Sequence, residues 1–175
     1  MRPRPPWSER YGQREGYARA VLDYGAIAAF LDSGVSMVGA SANEELEPEA
    51  FRMWGASLSE GGILRALVSS DAGETFHRVG EGTVISMTFA DPLNLKSIQV
   101  KGRSLRAAEP PGPEDLARME GYEDHLRPKA RLNGTPLPLL EAIRPRSVFV
   151  VSVLVEEAYD QTPGPLAGTP LKERM

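Results

Sequence analysis

The hydrophobic positions change period several times along the chain, and each change predicts an element. Over Ser8–Leu31, the residues Val21, Tyr24, Ile27, Ala28 and Leu31 recur at three- and four-residue spacing, the pattern of a helix with one buried face. Ser33-Gly34 ends it, with Gly34 suited to a left-handed cap. Strand patterns follow over Val35–Ala42, Ala50–Leu58 and Ile63–Ser70, and Glu60-Gly61-Gly62 reads as the hairpin turn between the last two. Side chains two apart on a strand share a face. Arg52 therefore lies with Trp54, and Arg65 with Leu67 and Ser69. Asp71–Val79 reads as a short helix with Asp71 as N-cap, Glu74 in the capping-box position and Ala72, Phe76 and Val79 facing inward.

Thr83–Arg106 predicts two more strands joined by the turn Asp91-Pro92-Leu93-Asn94. Ile85, Met87 and Phe89 give the first an apolar face. In the second, Gln99, Lys101 and Arg103 form a polar stripe backed by Ile98 and Val100. Such a stripe is either a solvated sheet face or the floor of a site for an anionic ligand. After the loop Glu109–Pro113, a helix is expected over Glu114–Leu126 with Leu116, Met119, Tyr122 and Leu126 inward, broken by Pro128 and Asn133-Gly134. A short helix is expected over Leu137–Ile143. Ser147–Glu156 is apolar on both faces and belongs in the middle of a sheet or at a subunit interface. The stretch Ala158–Pro165 then turns abruptly. Six strands at hairpin spacing with helices between them predict a mainly β, α+β architecture. It is a small six-stranded antiparallel barrel with peripheral helices.

Composition narrows the class. The chain has 175 residues, enough for one domain with a full core. Residues 1–7, with three prolines, read as a disordered tail, and 8–175 as a single domain. The net charge of −4 argues against a nucleic-acid partner. With no cysteine there is no disulfide, thiol nucleophile or thiolate metal site. The N-terminal basic residues have no apolar run behind them, and no segment reaches the ~20 apolar residues of a membrane helix. The expectation is a cytoplasmic protein without membrane association.

Few residues are placed for chemistry. The two histidines, His77 and His125, fall in helices among charged residues, with no nucleophile marked beside them. No spacing predicts a metal site, and no glycine-rich phosphate loop is present. Asn133-Gly134-Thr135 reads as a turn, and Glu156-Glu157 and the Glu44-Glu45-Glu47 cluster as solvated charge. The remaining candidates are polar groups at strand faces and strand ends: Arg52, Ser69, Ser70, Thr75, Gln99 and Lys101. Helix N-termini bind phosphates through free N–H groups. A side-chain amide such as Gln99 can meet the polar edge of a planar heterocycle.

Four segments in this order resemble the pyridoxamine 5′-phosphate oxidase-like family, the FMN-binding split barrels. They are Ala26–Gly34 (AIAAFLDSG), Phe51–Ser70 (FRMWGASLSEGGILRALVSS), Thr83–Arg103 (TVISMTFADPLNLKSIQVKGR) and Ala158–Pro165 (AYDQTPGP). The resemblance spans roughly Ile27–Leu166 and implies a split β-barrel homodimer with FMN at the subunit interface, to which the apolar 147–156 strand is suited. It implies that Arg52 approaches the flavin phosphate, that Ser69 and Ser70 lie along the flavin, and that Gln99 sits near the ring. Lys101 joins them from its shared face. Family members carry a Ser-Arg-Lys type phosphate grip after the third strand. Here Ala72-Gly73-Glu74 stands there, which leaves Thr75, Arg78 and Lys101 to compensate. The implied activity is a flavin-dependent oxidoreductase acting on a small-molecule substrate or electron donor. The alternative is a non-catalytic protein holding flavin, deazaflavin or haem on the same fold. The substrate-binding residues of vitamin B6 synthesis are not recognisable.

Overall fold

A computed structural model describes residues 22–42, 46–70 and 79–171. The predicted tail, the helix before Leu22 and the segment 71–78, which carries Thr75 and His77, lie outside the described residues. In chain order the elements are α1 (Tyr24–Leu31), β1 (Ser36–Ala42), β2 (Pro48–Leu58), β3 (Ile63–Ser69), β4 (Val84–Ala90), β5 (Ser97–Ser104), α2 (Pro113–Leu132), α3 (Leu137–Ala142) and β6 (Val148–Asp160). The strands close into a barrel in the order β1-β2-β3-β6-β5-β4. All neighbouring strands are antiparallel. The six-stranded antiparallel barrel with peripheral helices is thus the observed architecture.

Alternation builds the barrel. Met37, Met53, Leu64, Val68, Ile85, Met87, Phe89 and Val100 point into the lumen and are almost fully buried. Burying each large apolar side chain contributes roughly 1.5–3 kcal/mol, and closure leaves no edge strand unpaired. One glycine is required by the closure. The β5–β6 ladder shifts register between Lys101 and Gly102, and a Cβ at Gly102 would run into the Leu154 carbonyl. Only glycine lets the two strands approach there.

At the other end of the barrel, Asp23 caps α1 by accepting from the Ala26 amide (2.8 Å). The helix α1 therefore starts at Tyr24. Gly34 ends that region at φ +75° with the His125 backbone packed against it.

Three features differ from the sequence pattern, two of them in α2. First, α2 continues through Pro128 to Leu132. The proline removes one helical hydrogen bond. The last turns are nevertheless held down by buried Leu126 and Ala130 and by Lys129 Nζ donating to Asp91 Oδ2 (2.6 Å). Second, Leu116 points outward, 46% exposed, while Asp115 turns in. The cause is the Asp115 carboxylate, which accepts from the Gly112 amide (2.9 Å) and from Arg65 Nη2 (2.9 Å). Third, β6 runs on to Asp160, past the acidic pair at 156–157.

The apolar stretch of β6 is covered on both sides by the chain itself. Phe149, Val151, Val153 and Val155 face the core. Val150 and Ser152 are buried under the segment after β5, where Leu105 N donates to Ser152 O (2.8 Å) and Glu109 pairs with Val150.

Candidate functional site

The barrel exterior has two unlike sides. Helices α1 and α2 pack on β2, and the segment leading into α2 lies against β3 and β6. Over β1, β4 and the first half of β5 lies no described helix.

The register of the ladders lines up a row that starts on β2 at the edge of the covered side, crosses the open strands and ends on β6. Arg52 stands opposite Val38, Val38 opposite Thr88, Thr88 opposite Gln99 and Gln99 opposite Tyr159. Met53 pairs with Val68, so Ser69, one step along its strand, lies beside Arg52 at the far end of this row. The next row holds Ala50, Ala40, Ser86, Lys101 and Glu157. From Arg52 to Gln99 is three strand spacings, or about 14 Å along the sheet at ~4.8 Å each. The positions between them are small: Val38, Ala40, Ser86 and Thr88. They make a shallow floor flanked by two cations.

Those cations are held by rings and not by acids. The Arg52 guanidinium lies over Trp54, 4.9 Å from its centroid. Lys101 Nζ lies 5.1 Å from the centre of Tyr159. Among the described residues neither forms an ion pair. Gln99 donates to Thr88 Oγ1 (3.3 Å), and the Tyr159 hydroxyl donates to Glu157 Oε2 (2.6 Å).

Arg103, the third member of the polar stripe, is engaged elsewhere. It pairs with Glu156 (3.5 Å) and donates to the Gly82 carbonyl (3.2 Å). Arg65, on the covered side, is fully committed. It donates to Asp115, Glu109 and Ser152.

Of the sequence-predicted site residues, Arg52, Ser69, Gln99 and Lys101 come together on this exterior. Ser70 does not present a free hydroxyl. It is exposed but bonded to the Ser147 carbonyl (3.0 Å) and, by a short contact, to the Ser147 hydroxyl. Thr75 lies outside the described residues.

Three residues of the face escaped sequence reading. Thr88 sits on the polar face of a strand read for its apolar one. Tyr159 was placed in a turn, although Glu157 and Tyr159 keep the period of two. Tyr122 looked like an ordinary core position.

The titrations follow the same division. Burial works to raise Asp115, but the Arg65 hydrogen bonds prevail and hold it below the ordinary aspartate value. Asp91 is likewise held low by Lys129 against its burial. Asp115 and Glu109 in turn raise Arg65. Burial pushes the Tyr122 phenol up to about 12 against the opposing pull of the Arg52 charge.

A cleft of about 540 Å³ opens on another part of α2, floored by Leu31, Met37, Ala56 and Tyr122, with the Asp32–Arg118 ion pair (3.0 Å) among its walls. None of the predicted site residues lines it. Its Asp32–Arg118 pair is closed, and the Tyr122 hydroxyl on its floor is buried without a hydrogen-bond partner; the two cations of the row described above make that row the better candidate. Among the described residues no cluster of His, Asp or Glu could hold a metal ion, and no helix is long and apolar enough to cross a membrane.

No protein-family profile matches the chain, and no curated protein matches it. Among solved structures it is similar to HupZ from Group A Streptococcus, with a TM-score of 0.50 at 15% identity, covering 82% of this chain and 98% of that one. An F420 reductase matches with a TM-score of 0.47 at 14% identity over 74% of this chain and 93% of its own. The conserved hypothetical protein Rv2991 from Mycobacterium tuberculosis gives 0.45 at 16% identity over 82% and 87%. At these identities the likeness concerns architecture alone, and the likeness to HupZ together with the closed strand order makes the fold a split β-barrel.

Proposed function

We propose that the chain is an FMN-binding, oxidoreductase-like protein of the pyridoxamine 5′-phosphate oxidase-like family, with the cofactor on the open face and a second copy of the chain completing the site. The observation that carries this reading is the row itself. Two cations that form no ion pair among the described residues flank a floor of small side chains about 14 Å wide. An unpaired cation on a half-buried face wants an anion, and a flat floor wants a flat ligand. Arg52, with Ser69 beside it, would take the phosphate. Gln99 and Lys101 would meet the polar edge of the ring, Lys101 supplying positive charge there. A bound flavin supplies hydride and electron transfer. The protein's part is to bind it, orient it and fix the charge around it.

The homodimer rests on the same face. Val38 and Val84 are 46% and 55% exposed there, beside Ala40 and Ala42. Sedimentation should give twice the 19.1 kDa chain mass.

The test of the cofactor is direct. Purified protein should carry a flavin absorbance band or take up added FMN stoichiometrically. A colourless protein that binds no FMN overturns the reading. The Arg52–Gln99 row contains no histidine or carboxylate, and Glu157 beside Lys101 already accepts from the Tyr159 hydroxyl; this favours one second reading. On that reading the protein holds flavin, deazaflavin or haem without turnover. Steady-state oxidation of a reduced nicotinamide with FMN present separates the two, and the mass of the extracted cofactor identifies the group.

A further inference from the structure

The geometry points to Tyr122 as a positioning residue for Arg52: from helix α2 it fixes the guanidinium, together with Trp54, so that the terminal nitrogens face an incoming anion. The inference rests on the reading of Arg52 as the anion anchor given above.

Two buried polar atoms motivate it. Arg52 Nε and the Tyr122 hydroxyl are both out of contact with solvent, and neither has a hydrogen-bond partner. They are also neighbours: α2 packs on β2, and Arg52 acts on the Tyr122 phenol through both its charge and a side-chain approach within hydrogen-bonding reach that falls short of good hydrogen-bond geometry at these two atoms. A buried donor left unsatisfied costs about 1–3 kcal/mol, so such a pair side by side calls for an explanation.

Their chemistry is complementary. Arg Nε–H can only donate, and a phenol oxygen can accept. Tyr122 is about 94% buried and titrates near 12, so it stays a neutral acceptor through the physiological range. Trp54, 3% exposed, stacks under the guanidinium and removes its freedom to swing off the face. In the inferred arrangement Nε–H donates to the Tyr122 oxygen. The inner edge of the guanidinium is then satisfied by the protein, and the outer edge is left for a ligand. The covered side of the barrel uses the opposite arrangement, with Arg65 consumed by Asp115 and Glu109. Aromatic partners hold Arg52 in place without neutralising it.

The experiment has a ligand-free arm and a ligand arm. In the first, the full chain is treated with phenylglyoxal and modification of Arg52 is followed by peptide mass. Tyr122→Phe should speed modification several-fold. Trp54→Leu should do the same, and Trp54→Phe, which keeps a ring, should restore the slow rate. In the second arm, FMN and riboflavin are titrated in parallel. Tyr122→Phe should weaken FMN about tenfold, the worth of one hydrogen bond to a charged group, and leave riboflavin unchanged. An unaltered Arg52 modification rate in Tyr122→Phe overturns the inference. Equal losses for FMN and riboflavin also overturn it, because a merely structural change would not single out the phosphate. If the wild-type chain binds neither compound, the flavin reading fails, and the modification rates alone decide the role of Tyr122.

Discussion

Arg65 and Arg52 sit on outward faces of β3 and β2, and the chain treats them in opposite ways. Arg65 is one-third exposed and makes three kinds of polar contact, to Asp115, Glu109 and Ser152. It ties β3 to the start of α2 and to the segment after β5. Among the described residues Arg52 has no acid partner, and it rests on a tryptophan face. The difference separates a charge used to build the fold from a charge kept available. A protein that needed Arg52 only for stability would do better with an apolar residue there. The same contrast distinguishes Arg103, paired with Glu156, from Lys101, which lies against the Tyr159 ring on the same strand face.

The sharpest way to break this comparison is at Asp115. Asp115→Ala removes the two-toothed partner of Arg65 and the acceptor for the Gly112 amide at the head of α2. Loss of one member of a largely buried charged network should lower unfolding stability by about 3 kcal/mol. Urea denaturation measures it. FMN affinity of the folded fraction should not move, because the network lies on the covered side. A variant as stable as the wild type would show that Arg65 is no more structural than Arg52.

Arg52→Ala should do the reverse. Its stability change should stay under about 1 kcal/mol, the value of the Trp54 stack. FMN should bind about thirtyfold more weakly, equivalent to ~2 kcal/mol for a charge-assisted contact. Calorimetric titration checks the second number and thermal melting the first. An Arg52→Ala variant that unfolds early and binds FMN normally would invert the assignment.

The two sides were not equally legible in the sequence. The hairpins could be read because period two is strong in segments such as Ile85-Met87-Phe89. The inward turn of Asp115 could not, since a count of apolar positions on α2 prefers Leu116. The partner that reverses that preference, Arg65, lies 50 residues away. Pro128 looked like a stop, and only the distant Asp91 explains why the helix carries on to Lys129. The open face was half readable. Each strand showed its own polar side, so Arg52 with Trp54 and Gln99 with Lys101 were visible as local pairs. That these pairs share one row depends on barrel closure through β1 and β4, and no local pattern encodes it. Tyr159 was hidden because Glu156-Glu157 breaks the apolar run, and β6 crosses that break with a register shift opposite Gly102.

Gln99 sharpens the comparison within the open face, by separating its ring end from its phosphate end. It donates to Thr88 and stands between Thr88 and Tyr159. Gln99→Ala should weaken FMN and riboflavin equally, by about tenfold or ~1.4 kcal/mol. Arg52→Ala should affect FMN alone. Parallel titrations read the ratio. If Gln99→Ala discriminates between the two ligands, the phosphate lies at the β5 end and the orientation is reversed.

The smallest expected effect concerns acid. Asp115 and Asp91 are both held below the ordinary aspartate value of about 3.9, by Arg65 and Lys129 respectively. For a carboxylate depressed in the folded state, the stabilisation is fully present above its unfolded value. It is lost as pH falls through the folded one. Stability should therefore be flat from neutral pH to about 5 and fall below about 4, with each pair accounting for roughly 1 kcal/mol of the fall. Asp115→Asn should start lower at neutral pH and show a shallower acid limb. Arg52→Ala should leave the limb unchanged, because Arg52 is not among the groups that hold Asp115 and Asp91 low. Denaturation midpoints between pH 2 and pH 7 measure this. An acid limb altered by Arg52→Ala would reveal a carboxylate partner for Arg52, and the contrast between the two arginines would collapse at the point where it is weakest.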